Sequence, residues 1–213
     1  MDLMAGFPDH HFDLAIVDPP YGIGAENHAG KPENGWTQWE TKSWDKSIPS
    51  KQYFVELMRV SKNQIVWGGN YMTEHLPPSM GWVFWDKGQR GFSLADGELA
   101  WTSFQKATRV FDFARGACLA EGDRLHPTQK PVALYKWLLQ NYAKPGQKIL
   151  DTHMGSGSIA IACHYFGAHL TACELDEGYY KAACNRIKRE TAQSDMFSGE
   201  DFRELAQQNE LPI

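Results

Sequence analysis

Short apolar runs alternate along this chain with stripes of helical period. Phe12 to Val17 is an apolar run closed by Asp18 and two prolines, and it reads as a short buried strand. Between Tyr53 and Val60, Phe54, Leu57 and Met58 share one helical face. Gln64 to Trp67 predicts a strand stopped by the turn Gly68-Gly69-Asn70. Trp82 to Trp85 predicts another, closed by Asp86-Lys87-Gly88, and Gly97 to Phe104 a third, with irregular chain up to Arg124. Pro131 suits a first helical turn, and Leu134, Leu138, Leu139 and Tyr142 continue its stripe to the stop at Pro145-Gly146. Lys148 to Leu150 is the next strand. Ile159 to Phe166 is apolar almost all round, which predicts a buried helix. Leu170 to Cys173 is a strand ending at Glu174, and Tyr180, Ala183, Cys184 and Ile187 mark a last amphipathic helix before a polar tail beyond Thr191. Strands alternating with helices predict an α/β fold with a mostly parallel sheet.

Composition narrows the class. The 213 residues predict a single domain over 1–213, and 42% hydrophobic with 22% charged residues is ordinary for a soluble globular protein. No run reaches the ~18 apolar residues of a membrane span, and the start lacks a basic-then-apolar leader. Cys118, Cys163, Cys173 and Cys184 form no C-x-x-C pair. Cys163 and Cys184 fall on apolar helical faces, so reduced, buried thiols in a cytoplasmic protein are expected, with no metal site. The His10-His11 pair reads as a solvated turn. A net charge of −5 argues against a protein that coats nucleic acid, but not against a local basic patch. Lys87, Arg90, Lys106, Arg109, Arg115 and Arg124 supply such a patch. Residues 22–50 are polar and aperiodic, a long loop of the functional or mobile kind, and carry Trp36, Trp39 and Trp44 as candidate base-stackers.

Two segments carry the chemistry. In "AIVDPPYGIG" (15–24), neither Pro19 nor Pro20 can donate a ladder hydrogen bond, so the strand must end at Asp18. The chain leaves it by a stiff exit presenting one carboxylate, carbonyls and the Tyr21 ring, suited to a planar ligand with an amino group. In "ILDTHMGSGSIAIA" (149–162), a strand meets a glycine turn and then a helix. Gly155 and Gly157 let backbone approach a ligand near helix amides. Glu174, at the end of the following strand, is placed to accept hydrogen bonds from ribose hydroxyls. No Gly-Lys-Ser/Thr follows, so this is not a phosphate-binding loop of the P-loop type. Asp176 reads as a helix-start acid.

Taken together, "DPPY" (18–21), "HPTQKP" (126–131), "DTHMGSGS" (151–158) and "CELDEGYY" (173–180) resemble the amino-methyltransferases that modify DNA. The order, catalytic loop before cofactor loop, is that family's permuted arrangement. The resemblance covers the chain to about residue 190 and implies a Rossmann-like sheet with a late antiparallel strand and helices on both faces. It implies S-adenosyl-L-methionine as cofactor, double-stranded DNA as partner, and a role of the restriction-modification kind. The catalytic set it implies is Asp18, Pro19, Pro20 and Tyr21. The cofactor set is Asp18, His126, Lys130, Asp151, Met154, Gly155, Ser156, Gly157 and Glu174. An Asp at the head of the Pro-Pro-Tyr loop is commonest among adenine-N6 members. Cytosine-N4 methylation, and amine methylation on RNA or a protein glutamine, are the alternatives.

An exocyclic amine is a poor nucleophile because its lone pair is delocalised into the ring. Asp18 and the Pro19 carbonyl can each accept one N–H and favour a more tetrahedral nitrogen, while Tyr21 stacks on a base flipped from the duplex. Relatives carry a further strand before the segment matching Met1 to Pro8, so an open sheet edge beside Leu170–Cys173 is expected. Its loss would also weaken adenosine binding, and a non-enzymatic binding remnant is the reading from another class. The recognition region, 86–125, is small, which implies a short target or a second subunit in a homodimer.

Overall fold

The computed structural model describes residues 2–24, 45–91, 95–118 and 125–192. Its elements, in chain order, are α1 (Asp2–Ala5), β1 (Leu14–Val17), α2 (Lys51–Val60), β2 (Gln64–Trp67), β3 (Trp82–Asp86), β4 (Gly97–Thr102) and β5 (Arg109–Asp112), then α3 (Arg115–Cys118), α4 (Val132–Tyr142), β6 (Lys148–Asp151), α5 (Ser158–Phe166), β7 (His169–Ala172) and α6 (Glu177–Ala192). Trp36, Trp39, Trp44, Arg124 and the polar tail lie outside the described residues, as does the side chain of Arg115.

Seven strands form one sheet in the order β5-β3-β4-β2-β1-β6-β7. β1 runs parallel to both β2 and β6, and β6 runs parallel to β7. β4 is antiparallel to both its neighbours, β2 and β3, while β5 returns parallel beside β3. The sheet is therefore mostly parallel with one antiparallel strand, a Rossmann-like methyltransferase architecture. Alternation along β1 explains its two-sided burial. Leu14 and Ile16 enter a core with α4 and α5, whereas Ala15 and Val17 enter the opposite core with α2. Helices thus cover both faces.

Three sequence expectations change. The segment expected to be irregular contains the edge strand β5 and the short α3. β5 is four residues long, and of these only Phe111 is buried, so it has little apolar period to read. Cys184 is exposed, not buried. α6 turns Ala183, Arg186 and Ile187 inward and leaves Tyr180 and Cys184 on its outer side. α5 is likewise one-sided, since Tyr165 is exposed. The expected open edge is present: β7 is the last strand on its side of the described sheet.

Candidate active site

β1 and β6 are parallel neighbours, yet their chains leave in opposite directions. From β1 the chain crosses one face through α2 to β2; from β6 it crosses the other face through α5 to β7. Such a reversal opens a crevice at the carboxyl ends of the strands, where ligands bind in open α/β sheets. Asp18 follows β1 there, Asp151 ends β6, and Glu174 lies two residues beyond β7. Both chemical segments found in the sequence therefore meet at one edge.

The first half of the site is a network of charge. Lys130, whose side chain is only 2% exposed, places Nζ 2.5 Å from Asp18 Oδ2 and 3.1 Å from Glu98 Oε2. It also donates to the Tyr21 hydroxyl at 3.2 Å and lies over the Trp67 ring at 5.1 Å. Tyr21 donates to Asp18 Oδ1 at 2.7 Å. Glu98 is paired in addition with Lys87. Burial pushes the Asp18 carboxyl up, and the charge of Glu98 adds to that push against the pull of Lys130. Burial also pushes Glu98 up, but the ammoniums of Lys130 and Lys87 outweigh it and hold Glu98 down at about 2. Burial opposes the charge on Lys130, and its two carboxylates more than compensate, so its pKa is raised.

Tyr21 is held by shape as well. Its ring stacks on Tyr71 with centroids 5.3 Å apart and planes at 17°. It also covers Gly68, where an added Cβ would lie 2.2 Å from Tyr21 Cε1. Gly68 has φ +67, so the turn after β2 needs glycine for conformation and for room. Beyond Tyr21, the buried Asp45 takes the Gly22 amide at 2.8 Å on Oδ1 and the Gly24 amide at 3.1 Å on its carbonyl, fixing the loop exit. Pro19 is buried; Pro20 is half-buried.

The second half surrounds the turn from β6 to α5. Glu174 accepts the Gly155 amide on Oε2 and the Asp176 amide on Oε1, both at 2.9 Å. An ionised carboxylate has about four acceptor sites, so two remain for hydroxyl donors. A Cβ on Gly155 would meet nothing nearer than His126 at 3.9 Å, whereas one on Gly157 would come within 2.9 Å of Ile187 and 3.3 Å of Ala183. The two glycines thus differ in purpose: Gly155 leaves an open approach, and Gly157 lets α6 pack against the turn. Ser156 is buried, its hydroxyl 3.2 Å from that of Ser158, and Arg186 Nη1 donates to both its hydroxyl and its backbone carbonyl at 3.3 Å. Met154 packs against the core. The His126 ring meets Tyr179 edge-on, and its Nδ1 accepts the Thr128 amide.

Asp151 is 1% exposed. Its Oδ1 accepts the His153 amide at 2.9 Å, but Oδ2 is buried with no hydrogen-bond partner among the described residues. Burial drives this carboxyl to about 8. Burial likewise drives His153 down to about 4, so its ring is neutral beside Thr152.

Sequence reading missed Glu98, Tyr71 and Arg186, and took Lys87 for part of the basic patch. Arg186 is 2% exposed and clamps Ser156 and Ser158 from α6. Its signal was an arginine three residues after Ala183 on an inward stripe. Among the described side chains of the expected basic patch, three are engaged within the chain. Lys87 is taken by Glu98, Arg90 by Asp86, and Lys106 by the Asn141 carbonyl, while Arg109 stands exposed on β5.

Residues 100–185 match the family model described as DNA methylase, which covers the N6 and N4 enzymes. The chain is similar to the N6/N4 DNA methylases. Across 207 residues it is 27% identical to the Escherichia coli (strain K12) protein "Putative methylase YubD", covering 87% of this chain and 86% of that one. Among solved structures, TTHA0409 from Thermus thermophilus, complexed with S-adenosyl-L-methionine, aligns with a TM-score of 0.56 at 16% identity, over 89% of this chain and 92% of that chain. PvuII DNA methyltransferase, cytosine-N4-specific, aligns with a TM-score of 0.55 at 11% identity, over 89% and 86%. At these identities the structural likeness establishes the fold. The family match adds a likeness in sequence to the DNA methylases over residues 100–185.

Proposed function

We propose that this chain is an S-adenosylmethionine-dependent DNA methyltransferase, methylating the exocyclic N6 of adenine flipped from double-stranded DNA. The observation that carries the reading is the placement of the Asp18–Tyr21 loop beside the Gly155–Glu174 half-site across the β1/β6 crevice. A methyl donor and an amino acceptor can meet there.

The residues present fit the cofactor. The buried Asp151 Oδ2 has no partner among the described residues, which suits a cationic ligand group, and Gly155 leaves its approach open. Glu174 retains acceptor sites for ribose hydroxyls while it fixes the turn. Met154, Ser156, Gly157, His126 and Lys130 would complete the walls. When bound, S-adenosylmethionine supplies a methyl group on a sulfonium, an acceptor for an amine lone pair.

The chain's own part is orientation and electrostatics. Asp18 Oδ2 accepts one N–H of the substrate amine and the Pro19 carbonyl accepts the other, turning the lone pair out of the base plane. Asp18 holds the proton that the nitrogen sheds. Its upward-shifted carboxyl suits it for that. Tyr71, exposed and stacked on Tyr21, offers an aromatic face to the base, and residues 86–125, with Arg109 exposed on β5, contact phosphate. The Asp at the head of the loop favours adenine over cytosine. Mass spectrometry of nucleosides from DNA incubated with the protein and labelled cofactor tests this. N6-methyladenine is expected; N4-methylcytosine as sole product would overturn the choice of base.

A further inference from the structure

The methyl-transfer reading uses Asp18 but leaves the charges around it without a role. Both Asp18 oxygens are engaged: Tyr21 donates to Oδ1 and Lys130 to Oδ2. A carboxylate oxygen has room for two donors, so the amine joins Lys130 on Oδ2, and each donor weakens the other's hold on it. The Lys130 side chain is almost wholly enclosed, and stripping a buried ammonium of its carboxylate is strongly unfavourable unless another anion receives it. Glu98 already sits 3.1 Å from the same Nζ. The ammonium can change partner with no movement of the backbone and without passing through water.

We propose that Glu98 is a positioning residue: it receives the Lys130 ammonium when a substrate amine engages Asp18. The identity of that amine rests on the methyl-transfer reading; the exchange itself rests on the geometry. Glu98 is suited to a permanent anchor. It is the second residue of β4, opposite Trp85 of β3, so its backbone is fixed by the antiparallel ladder. Lys87, following β3, contributes a second ammonium to it. With both lysines and both acids charged, the cluster is neutral. The groups facing Asp18 are Lys130, Tyr21 and Glu98; those facing Glu98 are Lys130, Lys87 and Tyr21. Among the described residues, Asp151, Tyr135 and Tyr53 also feel Asp18. Glu98 remains charged while Asp18 is the member pushed toward protonation, which is the division of labour that the exchange needs.

The test compares Glu98→Gln and Glu98→Asp with the parent. The Gln variant loses the receiving charge, so Lys130 stays on Asp18. In cofactor-free protein, the carbon-13 titration of the Asp18 carboxyl moves to lower pH in Glu98→Gln and stays near the parent's in Glu98→Asp. In turnover, kcat on DNA falls about tenfold or more in Glu98→Gln, a change of roughly 1.4 kcal/mol in barrier. The KM for S-adenosylmethionine is unchanged, and Glu98→Asp regains most of the rate. An unshifted Asp18 titration, or equal kcat in Glu98→Gln and parent, overturns the exchange. The titration requires no DNA. A parent protein that transfers no methyl group defeats the reading of the reaction, while the titration still reports whether Glu98 is coupled to the Asp18–Lys130 pair.

Discussion

Replacing Gly68 by alanine puts a methyl group into the seat of the Tyr21 ring, and Gly146 supplies a control for the backbone part of that change. Both glycines have positive φ, +67 and +80, so alanine at either pays the left-handed penalty of about 1 kcal/mol. In a chain of this size that lowers Tm by about 2–4 °C. The space differs. At Gly146 an added Cβ meets nothing within 4 Å, while at Gly68 it lies 2.2 Å from Tyr21 Cε1 and 2.4 Å from Cδ1. Ordinary contact begins near 3.4 Å, so the ring must retreat by more than about 1 Å. The Tyr21 hydroxyl then leaves Asp18. A misplacement of that size beside reacting groups costs on the order of 100-fold in rate. Thermal unfolding followed by circular dichroism, with single-turnover methyl transfer to DNA, measures both parts. Gly146→Ala is expected to lose a few degrees and keep its rate, whereas Gly68→Ala loses at least as many degrees and nearly all its rate. Equal rates in the two variants would refute the seating of Tyr21.

Asp151 gives a pH signature. Its folded pKa, raised to about 8 by burial, lies above the unfolded value of 3.8, so the stability it contributes is complete below about 4 and is lost as pH rises toward 8. Urea denaturation of cofactor-free Asp151→Asn is expected to show less loss of stability over that window than the parent; equal slopes would count against it. Glu174→Gln is neutral and keeps one acceptor oxygen in place of two, so the amides of Gly155 and Asp176 both lose a charged partner and one of them faces an NH2 donor. Calorimetry is expected to show S-adenosylmethionine binding weakened by about 1.5–3 kcal/mol, the scale of a hydrogen bond to a charged group; unchanged affinity would remove Glu174 from the cofactor site. Arg109→Ala is expected to weaken DNA binding and to reduce the salt slope by about 0.9, one phosphate's worth, with cofactor affinity unchanged; an identical salt titration would move the DNA surface away from β5.

Local rules made most of the sheet legible. β2 is bounded as its apolar run predicts, and the two prolines end β1 where a missing donor requires. The Asp18–Tyr21 loop and the Gly155 turn could be read because each is a contiguous segment with its own backbone demands. Glu98 could not. It is the second residue of β4, just before the apolar Leu99–Trp101, and its value comes from pairing opposite Trp85 and from facing Lys130, 32 positions further along the chain. Such a contact exists only once the antiparallel register is set. β5 escaped for a different reason: as an exposed edge strand it buries one side chain and leaves no alternating pattern. For Cys184, the helical stripe was right in period but about one position wide of the face that α6 turns inward, where Arg186 sits instead.

The central claim is that Asp18 accepts the hydrogen bond, and then the proton, of the amine being methylated. Single-turnover methyl transfer to DNA by Asp18→Ala, at saturating S-adenosylmethionine, tests it most directly. The variant keeps Lys130 paired, because Glu98 remains 3.1 Å from its ammonium. The account predicts a rate about 100- to 1000-fold below the parent, the range for removing one preorganised polar group from a transition state, with cofactor affinity retained. A rate within twofold of the parent would contradict it.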